Sequence, residues 1–500
     1  MTSSNEQNWI CRASNLAPEI RNFVDGRWTQ ASGPRMEKRA PRDGKLLCEF
    51  SSSDAHDADN AVKASRNAFG DGRWAALPVQ QRKDVLFRLA CLVDQHREEL
   101  ALLECIDTGR PISDALAVDV PMTAAIIKFN AEAVDKFYAP VYAADRTSLS
   151  YQLRRPVGVV AGIVGWNFPL ALAAGKLGPA LAVGNSVILK PSELSSLATA
   201  RLAELAVEAG LPPGVLNVIH GNIVAGAALA NHRDIDLLSF TGSTATGKRL
   251  LVAAGESNMK KVILECGGKA PNIVFEDCPD LDAVAAAVIA RAFWNQGQVC
   301  TASTRLLVQE SVKENLLSLI KEKTHFYVPG DPLLAETRLG AVISADHARK
   351  IRGYVELGKR EGGRVIYERE CRVPIDGGFY VAPTVFDDVS PEHTIAREEI
   401  FGPVLSVLSF KDVDEAVALA NKTIYGLSAI VWTTNMGLAQ RVTHAVKAGW
   451  VVVNATATPT GGPGTGVLTV SGHKESGLGA EGGTEGMENY LSKTAVQMFV

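Results

Sequence analysis

The sequence predicts an α/β protein built from a parallel-sheet unit, a second α/β unit and a small β-hairpin extension. Three observations carry this expectation. From Val157 to Ala254, short apolar strands alternate with helical stretches. After Gly267 the alternation resumes with a new set of strands. Two extended stretches, Thr147–Pro156 and Leu491–Val500, lie outside both runs.

At 500 residues the chain exceeds one ordinary core, so two or three domains are expected. Hydrophobic residues make up 46% and charged residues 21%, the mix of a soluble globular protein. A net charge of −4 without a basic stripe argues against nucleic acid as a partner. The polar start, Met1 to Glu6, lacks the apolar core of a signal peptide. The apolar stretch Val157 to Val164 is broken by glycines and far too short for a bilayer span, so a cytoplasmic protein with no membrane partner is expected. Eight cysteines show no Cys-x-x-Cys pair and nine histidines no close ligand spacing, which suits free thiols and no metal.

In order, residues 1–20 read as poorly ordered or loosely packed. Phe23 to Trp28 is a hairpin turning at Asp25-Gly26. Helical spacing covers Ala55–Ala68, a long amphipathic stretch from Gln80 to Asp107, and Pro111 to Phe137. In Thr147–Pro156, apolar Leu149, Tyr151 and Leu153 alternate with polar residues, predicting a strand with one wet face. It could pair with the C-terminal strand, within or between subunits.

The first βα run then pairs strand 157–164 with helix 170–183, strand 186–190 with helix 196–209, strand 215–220 with a short helix, and strand 235–240 with helix 244–254. Buried strands joined by crossover helices form a parallel sheet covered on both faces, with ligands expected beyond the carboxyl ends of its strands. The second run has strand 272–275, helix 281–294, strand 305–308, strand 403–410, helix 413–421 and a buried strand at 449–454. A long glycine-rich loop, 460–466, follows.

Phe240-Thr241-Gly242-Ser243-Thr244 joins a strand to a helix, where glycine lets backbone approach a phosphate and the helix N-terminus offers free N–H groups. Gly242 to Lys248 nearly matches the phosphate loop of nucleotide hydrolases, but Arg249 stands where a magnesium-binding hydroxyl is required. Lys190-Pro191-Ser192-Glu193 ends the neighbouring strand; a carboxylate there accepts from ribose hydroxyls and repels a 2′-phosphate, favouring NAD over NADP. Asn295 to Ser303 follows a helical run and delivers Cys300 into a turn. On its own, Cys300 reads more readily as a buried structural thiol, the commoner fate of a cysteine.

Taken with Trp166-Asn167-Phe168-Pro169, Leu264-Glu265-Cys266-Gly267-Gly268-Lys269, Gln296-Gly297-Gln298-Val299-Cys300 and Glu399-Ile400-Phe401-Gly402-Pro403, these motifs make the chain resemble the aldehyde dehydrogenase superfamily from about Phe23 to the C-terminus. The resemblance implies Cys300 as nucleophile, Glu265 as the base that activates the deacylating water, and Asn167 as oxyanion donor beside the Cys300 N–H. It implies NAD as cofactor, held by Ile163, Trp166, Lys190, Ser192, Glu193, Gly242, Ser243, Glu399 and Phe401. The substrate would be a small-molecule aldehyde, oxidised to the acid through a cysteine hemithioacetal and thioester. The implied division is an NAD-binding domain over 1–134 and 155–266, a catalytic domain over 267–479, and an oligomerisation extension over 135–154 and 480–500, giving a homodimer or homotetramer. Two readings compete: a CoA-acylating enzyme, and a non-catalytic protein of the same fold. The chain also departs from the family pattern at Gly165, at Cys266, at Val470-Ser471-Gly472 and at Ala480, so substrate preference is not carried over.

Overall fold

A computed structural model describes residues 3–142, 147–455 and 466–499. Among these, the strands form two large sheets and three two-stranded ones. The first sheet has the order Arg27–Thr29, Asn22–Val24, Leu216–Val218, Ser186–Lys190, Val159–Ile163, Leu237–Thr241, Lys261–Glu265, Gly477–Leu478. The five strands from Leu216–Val218 to Lys261–Glu265 run parallel. Val159–Ile163 and Ser186–Lys190 are buried throughout, as helices on both faces require.

The second sheet runs Arg364–Glu368, Thr384–Asp387, Val404–Phe410, Arg305–Gln309, Pro271–Val274, Ser428–Trp432, Trp450–Val453. All its neighbours are parallel except the first pair. Strand ends fall within a residue or two of the sequence expectation. The Asp25-Gly26 hairpin forms with both residues at positive φ, 50° and 75°, the two-residue turn that matches strand twist.

Ser148–Pro156 pairs antiparallel with Leu491–Phe499 along its whole length within the chain. Its predicted single wet face does not materialise: nearly every residue is half-exposed, because a two-stranded ribbon has no second layer on either side.

Four further expectations are corrected. Residues 1–20 contain a helix, Ser3–Ser14, pinned by Arg12 to Glu98 at 2.7 Å and by Trp9 against the core. The stretch 80–107 is two helices, Val79–Gln95 and Arg97–Thr108; the break is the single residue His96 (φ −93°, ψ 22°), whose ring bonds Glu99 at 2.8 Å. A one-residue break leaves the apolar period intact, so periodicity cannot see it. The next helix contains a π turn, Ala115–Asp119, before Val120–Ala133. Pro121 has no N–H to donate four residues back, and the turn widens there. Finally, Trp450–Val453 is a half-buried edge strand rather than a buried one, paired on one side only among the described residues. Most of the glycine-rich loop, 456–465, lies outside the described residues.

The C-terminal strand is tied to the first sheet through Asn185, which is fully buried. Its amide donates to Ala180 O (3.1 Å) and Tyr490 O (3.0 Å), and its Oδ1 accepts from Gly158 N (2.9 Å). Asn185→Ala strands these buried groups and is expected to lower the unfolding free energy by roughly 2–4 kcal/mol in a urea titration.

Candidate active site

Four adjacent parallel strands of the first sheet end on one line: Ile163, Lys190, Thr241 and Glu265 are their last residues. Ile163 lies in register with Lys190, and Glu265 with Thr241. This is the crevice in which open α/β sheets bind nucleotides. Lys190, almost fully buried, stands 3.5 Å from Glu193, so the two bracket one edge of it. Ser192 begins the turn between them and the next helix, its Oγ accepting from Leu194 N at 3.2 Å. Gly242 and Ser243 follow the third strand; Ser243 caps the helix Thr244–Ser257, accepting from Thr246 N at 3.3 Å.

Across the crevice stand residues from the second half. The Glu399 carboxylate accepts from Gly268 N at 2.9 Å and crowds Gly267, where a Cβ would lie 2.3 Å from Oε2. Phe401 holds a left-handed backbone (φ 60°) that a bulky residue adopts only under constraint. The constraint is His347, whose ring bonds Phe401 O at 2.7 Å. Burial pushes that imidazole down to about 4, so it is neutral and its Nε2–H donates. Trp166 meets the Phe401 ring edge-on at 5.1 Å, closing the two halves over the crevice.

Cys300 sits past the end of helix Leu281–Phe293, beyond a turn in which Asn295, Gln296 and Gly297 all have positive φ. Two of the three carry side chains, at about 1–2 kcal/mol each. The Asn295 amide donates to Asn167 O (3.1 Å), and Gln298 accepts from Ile343 N (3.0 Å) through its side chain. Glycine is required at two contacts. A Cβ on Gly297 would lie 2.3 Å from Gly402 O, and one on Gly268 would lie 2.3 Å from Cys300 O.

The structure brings the three expected acyl-chemistry residues together. Asn167, mostly buried, donates its amide to Gln298 O at 3.0 Å, within the Cys300 turn. Burial and the Glu399 and Glu265 carboxylates push the Cys300 thiol up to about 12, opposed by the N–H groups of Thr301 and Cys300. Burial likewise holds the Glu265 carboxyl up to about 7, with Lys176 pulling the other way. Glu265 Oε1 is buried with no hydrogen-bond partner among the described residues. Phe168, Ala171, Val299 and Ala302, with Met122, Leu172 and Trp294, form an apolar cluster around the turn.

Cys266 is a second thiol near the site: burial and the Glu265 and Glu399 carboxylates push it up. Its sulfur packs under the helix Thr244–Ser257, where Gly247 has no Cβ to collide with it. Sequence reasoning missed Lys176, Glu481 in its pairing role, and His347. Lys176 is fully buried, ion-paired with Glu481, and brought down to about 8 by burial. A signal for it existed: it is the one charged residue in an otherwise apolar helix, Pro169–Ala182. His347 carried none, since its partner is a backbone carbonyl 54 residues away.

Residues 28–496 match the model of the Aldehyde dehydrogenase family. The chain is 45% identical over 484 residues to the NADP/NAD-dependent aldehyde dehydrogenase PuuC of Escherichia coli, covering 96% of each. It is 43% identical to an aminoacetaldehyde dehydrogenase of Pseudomonas aeruginosa over 475 residues, 95% of this chain and 94% of that one. Among solved structures, an indole-3-acetaldehyde dehydrogenase in complex with NAD+ superposes with a TM-score of 0.95 at 44% identity, covering 99% of this chain and 100% of its own. The aldehyde dehydrogenase KauB from Pseudomonas aeruginosa does so with a TM-score of 0.95 at 46% identity and the same coverage. The crevice at the strand ends, the half-exposed cysteine facing it and these likenesses agree: the chain belongs to the aldehyde dehydrogenase family.

Proposed function

We propose that this chain oxidises a small-molecule aldehyde to its carboxylic acid with NAD, using Cys300, Glu265 and Asn167. The observation that carries the reading is the convergence of a thiol, a raised carboxyl and a side-chain amide on one turn at the mouth of the strand-end crevice. In the resting chain the thiol is protonated, so its proton leaves as attack begins. Glu265, ionised above about 7, accepts it. Sulfur adds to the carbonyl carbon, and the Asn167 amide and Cys300 N–H stabilise the developing oxyanion. The hemithioacetal is oxidised to a thioester. Glu265 releases that first proton to solvent, then takes one from water as the water attacks the thioester; the carbon–sulfur bond breaks, the acid leaves and Glu265 returns its proton to the Cys300 sulfur.

The residues present fit NAD. A Cβ on Gly242 would lie 2.5 Å from the Phe240 ring, so only glycine lets the chain pass that ring into the helix cap; Thr241 Oγ1 is buried without a hydrogen-bond partner among the described residues, and Lys190 with Glu193 suits two ribose hydroxyls. Ile163, Trp166, Ser192, Gly242 and Ser243 would line its adenosine and pyrophosphate side; Glu399 and Phe401 would hold the nicotinamide side. When bound, NAD accepts the hydride. Glu193 places a negative charge where NADP carries its 2′-phosphate.

The same reading assigns 1–134 and 155–266 to NAD binding, 267–479 to catalysis, and 135–154 with 480–500 to assembly into a homodimer or homotetramer. The ribbon's outer residues support assembly: Phe499 is 77% and Met498 44% exposed. Among the described residues no helix is long and apolar enough to cross a membrane. With eight unbridged cysteines, the cytoplasm is the compartment that fits.

Cys300→Ala is expected to abolish turnover while NAD still binds, measured by absorbance at the nicotinamide band and by calorimetry. Because the base works only when ionised, kcat should rise with pH through about 7 and level above it. Glu265→Gln should remove that inflection and slow thioester hydrolysis by roughly 10²-fold or more, and slow the pre-steady-state burst of NADH by less. NADH formation that needs added CoA would replace this reading with the acylating one. Glu193→Gln should narrow the preference for NAD over NADP by about tenfold, compared as kcat/KM.

A further inference from the structure

Arg110 is fully buried in the turn between helix Arg97–Thr108 and Ile112. Its guanidinium carbon lies 4.4 Å from the ring centre of Phe168 and 4.4 Å from that of Trp294. The two rings are 5.3 Å apart and tilted by 45°. The three planar groups therefore form a triangle, with the cation capping the notch between the rings. Nε stands 2.6 Å from Asp119 Oδ2, on the last residue of the π turn. None of the three guanidinium nitrogens makes a well-formed hydrogen bond among the described residues, so Asp119 holds the group as an ion pair. Glu104 and Asp114 also feel the charge of Arg110.

A buried cation with so few hydrogen bonds is costly unless charge and ring faces compensate it. What it joins gives it a use. Phe168 follows Asn167 directly, and Trp294 precedes Asn295 directly. Those two asparagines are already linked, through the Asn295 amide on Asn167 O at 3.1 Å, and Asn167 reaches Gln298 O at 3.0 Å. Both rings also belong to the apolar cluster that contains Val299 and Ala302, which lie on either side of the Thr301–Cys300 pair in sequence.

We propose that Arg110 is a positioning residue: by capping the Phe168–Trp294 pair it holds the oxyanion donor Asn167 in register with the Cys300 turn. It touches neither aldehyde nor NAD and acts through the two rings. The π turn has a part in this, because it brings Asp119 round to the guanidinium and so orients the cap. The inference rests on the assignment of Asn167 and Cys300 to the acyl chemistry.

The test compares wild type with Arg110→Lys, which keeps the charge toward Asp119 and loses the planar cap, and with Phe168→Leu, which removes one ring and keeps the pocket apolar. Expected for both is an NADH burst slowed about 10–100-fold, with the Kd for NAD and the KM for the aldehyde within about threefold of wild type. If both act through one unit, the double variant is no slower than the worse single one. A burst within threefold of wild type in both single variants overturns the proposal. So does a parallel loss of burst and NAD affinity, or a multiplicative slowing in the double variant. Should Arg110→Lys fail to fold, Asp119→Asn, which frees the guanidinium from its ion pair and keeps both rings, decides by the same split between burst rate and binding. Asn167→Ala runs alongside: if it leaves the burst intact, the site assignment fails. If it slows the burst while the other two do not, only the role of Arg110 falls.

Discussion

Two backbone approaches leave no room for a Cβ, and the site is organised by them. Gly268 lies against the Cys300 carbonyl and Gly297 against the Gly402 carbonyl. Cys300 is thereby held between the strand end that carries Glu265 and the loop that carries Glu399. The turn itself is strained at Asn295 and Gln296, and buried side-chain amides hold it in place. One electrostatic consequence follows. Restricted hydration and two nearby carboxyls push the half-exposed thiol up to about 12, and burial raises the carboxyls themselves to about 7.

Buried ion pairs extend this arrangement outward. Lys38 meets Asp107 at 2.8 Å, and the other Asp107 oxygen accepts from Leu197 N at 2.8 Å, at the start of the helix that follows Ser192 and Glu193. Lys176 meets Glu481 beside Glu265. Arg110 meets Asp119 behind the aromatic pair. Removing one partner of such a pair costs about 3–5 kcal/mol, whereas apolar residues of similar size would often serve stability as well. Each pair here joins segments that adjoin a site residue in sequence or in space.

Much of the architecture is visible in one dimension. The strands Ser186–Lys190 and Val404–Phe410 read as short apolar runs, and the helix Val413–Asn421 as a bounded periodic one. The Asp25-Gly26 turn is local chemistry, and so is the Ser243 cap. Errors arose where a single residue or a neighbour decides. His96 interrupts a helix without disturbing its period. Trp450–Val453 is apolar enough for a sheet interior and yet lies at an edge among the described residues, because sheet order is set by crossover topology rather than by composition.

The chain's own letters thus determined the α/β class, the strand ends on which Lys190, Glu265 and the Gly242 turn sit, and the residue types around Cys300. Local propensity and periodicity are short-range, and the motifs are too. Only the tertiary structure decided that Glu399 faces Gly268 across 131 positions, that His347 fixes Phe401, and that Arg110 caps Phe168 and Trp294. These are contacts between segments far apart in sequence, made by buried groups whose partners are set by packing, and no window along the chain contains both members.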